Sequence, residues 1–333
     1  MKRSTRKRQK APPPPPPIEK EEEQRIVTSP NLPDELIVRI LSLLPSKSIL
    51  GLRCVCKHWS NKLIKDPNLV KSHLNRSIAN QNLNLLISYH SLPMKRKDYK
   101  RNSGSIISTI NLSCSSPQIE GDVKRIDDPF NSLKRDVHFY SSCNGLVLTN
   151  NPWGEKDDDD HIMLWNPFTA EIRKIPNPVN EDRIAPNSDI GSRWSYLYGI
   201  EYSRTIRDYK IVRVRVFSNI FKAVCYICEI KVYTLGTNLW KNVPYEFISD
   251  SHLGISAYQK QVSANGNLHW IREPRDSGTQ RNASVSRVVV SFDVEHDAIE
   301  EVPLSSGLQE SLIYYDRSVS SLGNLDGCLS VIL

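Results

Sequence analysis

Between residues 32 and 74, apolar and polar positions alternate with a helical period. Apolar residues recur three and four positions apart from Leu36 to Leu44, and this spacing predicts an amphipathic helix. Pro33 suits the first helical position and Pro45 ends the helix. The apolar face is wider than two short neighbouring helices can cover, so the pattern predicts a small helical unit that needs a partner.

Two further helices are predicted in the same stretch. Ser46 is expected to cap the second helix, which breaks near Cys54. The third helix is expected to carry Trp59 on its apolar side and to stop at Asp66-Pro67. The sequence therefore predicts a three-helix unit at residues 31–74.

Beyond residue 75 the apolar pattern becomes strand-like, with short apolar runs between Gly, Pro, Asn and Asp clusters. Three hairpin-like segments align with one another: LWNPFTAEIRKIP, KVYTLGTNLWKNV and SFDVEHDAIEEVP. Their starts lie 67 and 60 residues apart. The alignment predicts matching inward positions for Ile172, Leu239 and Ile299.

A second motif places a tight turn before an apolar strand. It occurs at Asn144-Gly145, Asn265-Gly266 and Asp326-Gly327. A repeat of about sixty residues predicts blade-like sheets arranged radially, as in a propeller. The predicted fold is therefore a three-helix unit followed, at residues 75–333, by an all-β repeat domain of propeller type.

The helical stretch resembles an F-box in its LPDEL, ILSLLP, LRCVCKHW and DPNLVKSHL segments. The resemblance implies docking on the Skp-type adaptor of a cullin-RING ubiquitin ligase, and through that adaptor an association with the cullin and RING subunits. A unit that merely packs on the rest of the chain is the alternative. The adaptor-binding residues implied by the resemblance are Leu32, Pro33, Leu36, Ile40, Leu41, Leu44, Pro45, Leu52, Val55, Cys56 and Trp59.

The segments SSCNGLVL, LWNPFTAEIRKIP, NGNLHWI and VVVSFDVEHDAIEEVPL resemble, in this order, the F-box-associated interaction domain of plant proteins. That resemblance implies a kelch-like fold that binds a target protein. Glu201 and Ser203 stand where the family usually has Gly and Asp. The sequence stops at Val331–Leu333, inside an apolar strand, where relatives generally continue with another repeat. Either the domain closes with fewer strands or the chain is truncated.

The formal net charge of +7 is concentrated at one end of the chain, because residues 1–10 contain six Lys and Arg residues and no acid. The nearly neutral remainder argues against a nucleic-acid partner. Residues 1–30, which also contain six consecutive prolines and an acidic patch, are predicted to be disordered. The basic cluster suits a nuclear import signal or a solubilising tail equally. With no signal peptide and no long apolar run, a nuclear or cytoplasmic protein without membrane contact is expected.

Motifs for catalysis or for a bound cofactor are absent from the sequence. There is no H-E-x-x-H, G-x-G-x-x-G or G-x-S-x-G motif, and the run Asp157–Asp160 is interpreted as a solvated loop. Cys225 and Cys228 are interpreted as a buried structural pair, and His269 as a core or rim residue. Trp153, Trp194, Tyr196 and Tyr198 could line a binding face, although core packing is favoured.

These observations together predict a non-catalytic substrate-recognition subunit of an SCF-type ubiquitin ligase, with an unknown target and no cofactor. A degenerate or ligase-independent F-box scaffold and a propeller enzyme are the alternatives.

Overall fold

The computed structural model describes most of the helical stretch and the strands of the β-domain. The predicted tail of residues 1–30, the aspartate run at 157–160 and Trp153 lie outside the described residues. The described residues are 32–80, 83–90, 105–112, 124–126, 137–150, 162–178, 192–219, 224–244, 253–254, 261–274, 288–308, 321–325 and 327–332.

The N-terminal unit is helical, as predicted. It consists of α1 (Asp34–Leu41), α2 (Ser46–Gly51), a 3-10 turn (Leu52–Cys54), a π-helical turn (Trp59–Leu63) and α3 (Pro67–Ala79). Asp34 and Glu35 lie in the first turn of α1, where negative charge stabilises the positive end of the helix dipole.

Three helix boundaries differ from the prediction. Helix α1 begins at Asp34, and Pro33, which was predicted as its first residue, is the non-helical cap with a ψ of 143°. The cap of α2 is Pro45, and Ser46 is already helical and makes no capping hydrogen bond; the predicted Ser46 cap is wrong. Asp66-Pro67 ends one helical segment but also begins α3, because the Asp66 carboxylate accepts a hydrogen bond from the Asn68 N–H at 2.7 Å and Pro67 occupies the first turn.

Eighteen strands follow in the described part of the chain. They are β1 (Leu83–His90), β2 (Ser105–Leu112), β3 (Lys124–Arg125), β4 (Phe139–Cys143), β5 (Leu146–Asn150), β6 (Ile162–Asn166), β7 (Glu171–Ile175), β8 (Ser192–Ser203), β9 (Asp208–Asn219), β10 (Val224–Thr234), β11 (Leu239–Asn242), β12 (Leu253–Gly254), β13 (Val262–Ala264), β14 (Asn267–Pro274), β15 (Val288–Asp293), β16 (Ala298–Pro303), β17 (Ser321–Leu325) and β18 (Cys328–Ile332).

The strands form five antiparallel sheets in chain order. Sheet 1 contains β1–β3, sheet 2 contains β4–β7 and sheet 3 contains β8–β11. Sheet 4 contains β12–β16, with both β12 and β13 paired to β14, and sheet 5 contains β17 and β18. Within sheets 2 and 3, each strand pairs with the next one along the chain, so these sheets are simple meanders.

Apolar clusters lie between successive sheets. One is built around Trp165 and Ile107 of sheets 2 and 1, and a second joins sheets 2 and 3 through Leu164 and Tyr198. A third joins sheets 3 and 4, and a fourth joins sheets 4 and 5. Each of these sheets therefore packs on the next in sequence.

The predicted hairpin repeat is present, with one correction of register. In each hairpin a four-residue turn brings an aromatic residue opposite the second residue of the next strand, as in Trp165 with Ile172 and Phe292 with Ile299. In sheet 3 the corresponding pair is Tyr233 with Trp240. Leu239, which was predicted to point inward, is 68% exposed. The predicted alignment of this segment was wrong by one residue.

The second predicted motif forms tight turns. Asn144-Gly145 joins β4 to β5, and Asn265-Gly266 joins β13 to β14. All four of these residues have positive φ angles, between 50° and 83°. Two successive positive φ angles characterise the hairpin turns that match strand twist, and Asn and Gly adopt them most easily.

Candidate functional site

Helix α1 presents an apolar surface that its own unit does not cover. Leu36 is 45% exposed and Ile40 is 49% exposed, and both lie on the same face of α1 because they are four residues apart. Leu32, Leu43 and Val55 are exposed as well. The predicted excess of apolar surface is therefore present. We call the exposed side chains of Leu32, Leu36, Ile40 and Leu43, which lie on or directly beside α1 in the sequence, the α1 surface.

The predicted adaptor-binding residues differ in exposure. One of them, Leu41, is only 1% exposed and, like Ile49 and Leu69, is a buried apolar residue of this unit. The partly exposed ones are Leu44, Leu52 and Trp59, and the exposed ones are Leu32, Pro33, Leu36, Ile40, Pro45, Val55 and Cys56. Adaptor contact by these residues stays a prediction, and in this chain Leu41 contributes to the core of the unit itself.

Polar contacts hold the helices of this unit together around the α1 surface. The His73 imidazole lies 2.9 Å from the Leu44 carbonyl oxygen and links α3 to the end of α1. His58 lies 3.4 Å from the Asp34 carboxylate. Because both ends of α1 are held from neighbouring segments, its exposed face is presented in a fixed orientation.

In the β-domain, the carboxyl-terminal ends of four strands meet around Glu201 of β8. This buried carboxylate accepts hydrogen bonds from the Cys143 thiol of β4, at 3.4 Å, and from the Ser263 hydroxyl of β13. Asn324 of β17 donates to the Ser263 carbonyl oxygen at 2.7 Å. Burial, with the neighbouring Glu201 charge, strongly raises the pKa of the Cys143 thiol. The first strands of sheets 2, 3 and 5 and β13 of sheet 4 thus converge at one end.

In the described part of the β-domain, seven hairpin turns lie at this end. Each of the converging strands runs directly into its turn, and in a meander the turn after the third strand lies at the same end as the turn after the first. We call this end the turn face; it comprises the turns at residues 144–145, 167–170, 204–207, 235–238, 265–266 and 294–297 and, between β17 and β18, Gly327.

Charged contacts connect neighbouring sheets at the turn face. The Glu295 carboxylate accepts hydrogen bonds from the Ser203 hydroxyl at 2.6 Å and from the Arg204 N–H at 2.5 Å. These contacts lower the pKa of Glu295 to about 2. Lys210 donates to the Asp297 carboxylate at 2.8 Å. Sheets 3 and 4 are thus joined by charge-assisted contacts.

A similar connection joins sheet 2 to sheet 3. The Arg173 guanidinium of β7 donates to the Leu235 carbonyl oxygen at 3.0 Å and also to the Asn238 side-chain oxygen. The Trp240 indole N–H donates to the Pro176 carbonyl oxygen at 2.7 Å. The turn at residues 235–238 is therefore fixed by residues of the preceding sheet.

Comparison with known proteins identifies both parts of the chain. Residues 99–331 match the F-box associated beta propeller domain, and residues 29–76 match an F-box-like domain. The chain belongs to the F-box-associated domain family. It is a plant F-box protein with a short helical F-box followed by an all-β domain of antiparallel sheets.

Similar curated proteins come from Arabidopsis thaliana. An F-box/kelch-repeat protein is 25% identical over 88% of this chain and 65% of its own length. An F-box protein is 23% identical over 91% of this chain and 66% of its own length. The chain spans about two thirds of the length of these relatives.

One solved structure, an oligogalacturonate lyase in complex with manganese, aligns with 74% of this chain and 61% of its own chain. The TM-score is 0.32 and the sequence identity is 10%. Similarity this low indicates neither a shared fold nor a shared activity.

Several side chains of this F-box protein can be compared with their predicted roles. Tyr198 is buried in the core, as favoured, and packs at 6.2 Å from Tyr196. His269 is buried, and its pKa is lowered by burial, which confirms the core interpretation. The side chains of Cys225, Cys228 and Trp194 lie outside the described residues.

The described residues contain neither a candidate membrane span nor a candidate metal site. No helix among them has the length and apolar character needed to cross a membrane. Within the same ranges, no group of three or more His, Cys, Asp or Glu side chains is arranged to hold a metal ion.

Sequence reasoning did not find the cluster around Glu201. Its partners Cys143 and Ser263 are 58 and 62 residues away in the sequence, and no local pattern connects them. Two signals pointed to Glu201 itself: it is an acidic residue within an otherwise apolar and aromatic run, and it departs from the usual residue of the resembling family.

Proposed function

We propose that this chain is the substrate-recognition subunit of an SCF-type ubiquitin ligase. The F-box docks on a Skp-type adaptor, which connects it to the cullin and RING subunits, and the β-domain binds a target protein. The observation that carries this proposal is the α1 surface, which lies within the segment that matches an F-box. Exposed apolar surface of this kind favours a protein partner.

In this proposal the chain itself catalyses no covalent step. It holds a target lysine close to the ubiquitin carrier, so that transfer becomes effectively intramolecular. The division into a tail (1–30), an F-box domain (31–74) and a β-domain (75–333) is part of the proposal. A radial, kelch-like arrangement of the sheets and a nuclear or cytoplasmic location are also part of the proposal.

The radial arrangement is supported by two features of the described sheets. Successive sheets pack on one another through apolar clusters. In addition, the ends of β4, β8, β13 and β17 meet near Glu201, as the innermost strands of radial blades would.

The test is a pull-down of the purified chain with a plant Skp-type adaptor. The double variant Leu36→Ser, Ile40→Ser removes two exposed side chains of the α1 surface without opening the core, whereas a change at the buried Leu41 would also unfold the unit. We expect this variant to lose adaptor binding, with a loss of at least about 2 kcal/mol.

Val70→Ser, Ile78→Ser is the matched control, because both residues are exposed and apolar but lie on α3. It should bind as the wild type does, and circular dichroism checks that every protein is folded. Undiminished binding by the α1 variant, or none by the folded wild type, would refute the proposal.

A further inference from the structure

The turn face carries exposed apolar side chains at four of its turns. Phe168 lies in the turn of sheet 2 at residues 167–170, and Ile206 lies in the first turn of sheet 3, at residues 204–207. Leu239 directly follows the second turn of sheet 3, and Leu325 directly precedes the turn of sheet 5; both are 68% exposed. Turn positions such as those of Phe168 and Ile206 are ordinarily polar, and Leu239 and Leu325 flank two further turns, so four exposed apolar side chains lie at this end of the domain.

The turns that carry these residues are held in place by neighbouring residues. The first turn of sheet 3 is fixed by Glu295, and the second by Arg173 and by Asp208, whose carboxylate accepts a hydrogen bond from the Gly236 N–H at 2.7 Å. A surface fixed in this way loses little conformational entropy when a partner binds.

Exposed cations lie on or beside this face. Arg204, Arg207 and Lys241 are exposed. Two partly exposed acidic groups beside them have partners within the domain: Glu295 accepts hydrogen bonds from the Ser203 hydroxyl and the Arg204 N–H, and Asp297 lies 2.8 Å from Lys210 and 3.3 Å from Lys241. The Glu171 carboxylate at the same end is exposed and accepts a hydrogen bond from Thr169.

Exposed apolar side chains close to exposed cations match one kind of partner segment. Apolar side chains of the partner would pack on Phe168, Ile206 and Leu239, and its carboxylates would lie beside Arg204, Arg207 and Lys241. We infer that the turn face binds the target protein through a segment that combines acidic and apolar residues. This inference rests on the proposed function and specifies the surface and the partner chemistry of the β-domain.

A nucleic acid is the competing ligand for the basic side chains. Its phosphates would contact the three cations, but the exposed apolar side chains make no favourable contact with a phosphate backbone. Substitutions of the two kinds of residue therefore separate a peptide from a nucleic acid.

The experiment selects peptides of about twelve residues from a random phage-display library on the full chain bound to its adaptor. We expect enrichment of peptides that contain Asp or Glu together with Leu, Ile or Phe. Phe168→Ser, Leu239→Ser should weaken the enriched peptide at least about tenfold, as should Arg204→Glu, Arg207→Glu. Binding should also weaken as salt concentration rises.

Val302→Ser is the matched control, because Val302 is exposed and apolar but lies on β16 away from the turns; it should bind the peptide as tightly as the wild type. The inference is overturned if no acidic and apolar peptide is enriched, or if the enriched peptide binds the turn-face variants normally. It is also overturned if a single-stranded oligonucleotide binds and only the arginine substitutions remove it.

Adaptor binding by the same proteins separates the two proposals. Retained adaptor binding without peptide selection would reject the turn face while leaving the F-box function intact. If the folded wild type does not bind the adaptor, the proposed ligase function itself is rejected.

Discussion

Replacing Glu295 by Gln tests how strongly the charged contact between sheets 3 and 4 stabilises the β-domain. The pKa of Glu295 is lowered from its ordinary value of 4.5 to about 2, chiefly by the hydrogen bond from the Ser203 hydroxyl and then by that from the Arg204 N–H. This difference corresponds to about 3 kcal/mol. Solvent screening at this partly exposed position reduces the contribution to about 1 to 2 kcal/mol. We expect Glu295→Gln to lower the free energy of unfolding by that amount at neutral pH.

The effect should depend on pH in one direction. Because the pKa of Glu295 is lower in the folded than in the unfolded state, the stabilisation is complete above a pH of about 4.5 and is lost as the pH falls towards about 2. Urea unfolding of the wild type and of Glu295→Gln, repeated across this range, measures the difference. The two proteins should become more similar in stability as the pH falls.

Glu300→Gln is the control, since Glu300 is an exposed carboxylate on the neighbouring strand β16. Its stability should match that of the wild type at every pH. The reasoning would be wrong if Glu295→Gln were as stable as the wild type at neutral pH, or if its deficit did not change on acidification.

Three further changes test the backbone, the core and the buried thiol. Gly266→Ala should lower the free energy of unfolding by about 1 to 2 kcal/mol, because Gly266 has a φ of +78°. Gly51→Ala should stabilise the chain slightly, because Gly51 has a helical φ and a Cβ added there would meet nothing within 4 Å. Thermal unfolding compares the two variants. Trp165→Ala should cost about 3 to 5 kcal/mol in urea unfolding, because Trp165 is fully buried. Iodoacetamide should alkylate exposed Cys54 well before Cys143, whose pKa is raised by burial; equal rates by mass spectrometry would contradict this.

The helical part of the fold was predictable because its signals are local. Pro33, Asp34 and Pro45 each act within one turn of the helix they begin or end. Asp66-Pro67 was harder to interpret, since the same dipeptide both ends a helical segment and caps a new one. Distinguishing the two readings requires knowing that Leu69, in the following helix, packs into the core.

The register of the β-domain was only partly predictable. Leu239 and Trp240 are adjacent and both apolar, so aligning apolar residues cannot decide which of them points inward. The four-residue turn decides it, because Asn238 adopts a positive φ of 59° and places Trp240 opposite Tyr233. A shift of one residue in a strand moves every side chain to the other face.

The contacts between sheets were not predictable at all. Glu295 is separated from Ser203 by 92 residues, and in the sequence it belongs to an ordinary polar turn. Such contacts exist only once the sheets are packed. The sequence therefore indicates which turns form, whereas the face they build together depends on the packed fold.

The packing of the F-box allows its proposed docking surface to be compared with its core. Among the described side chains of this unit, only Leu41, Ile49 and Leu69 are buried apolar residues, and a fully buried side chain of this size contributes about 1.5 to 3 kcal/mol. At least as many apolar side chains, including Leu36 and Ile40, are exposed on the α1 surface. If the adaptor covers them, as proposed, it buries as much apolar side chain as the core of the unit does. Adaptor binding would then extend that core, so Leu36 and Ile40 stabilise the complex while contributing little to the isolated chain.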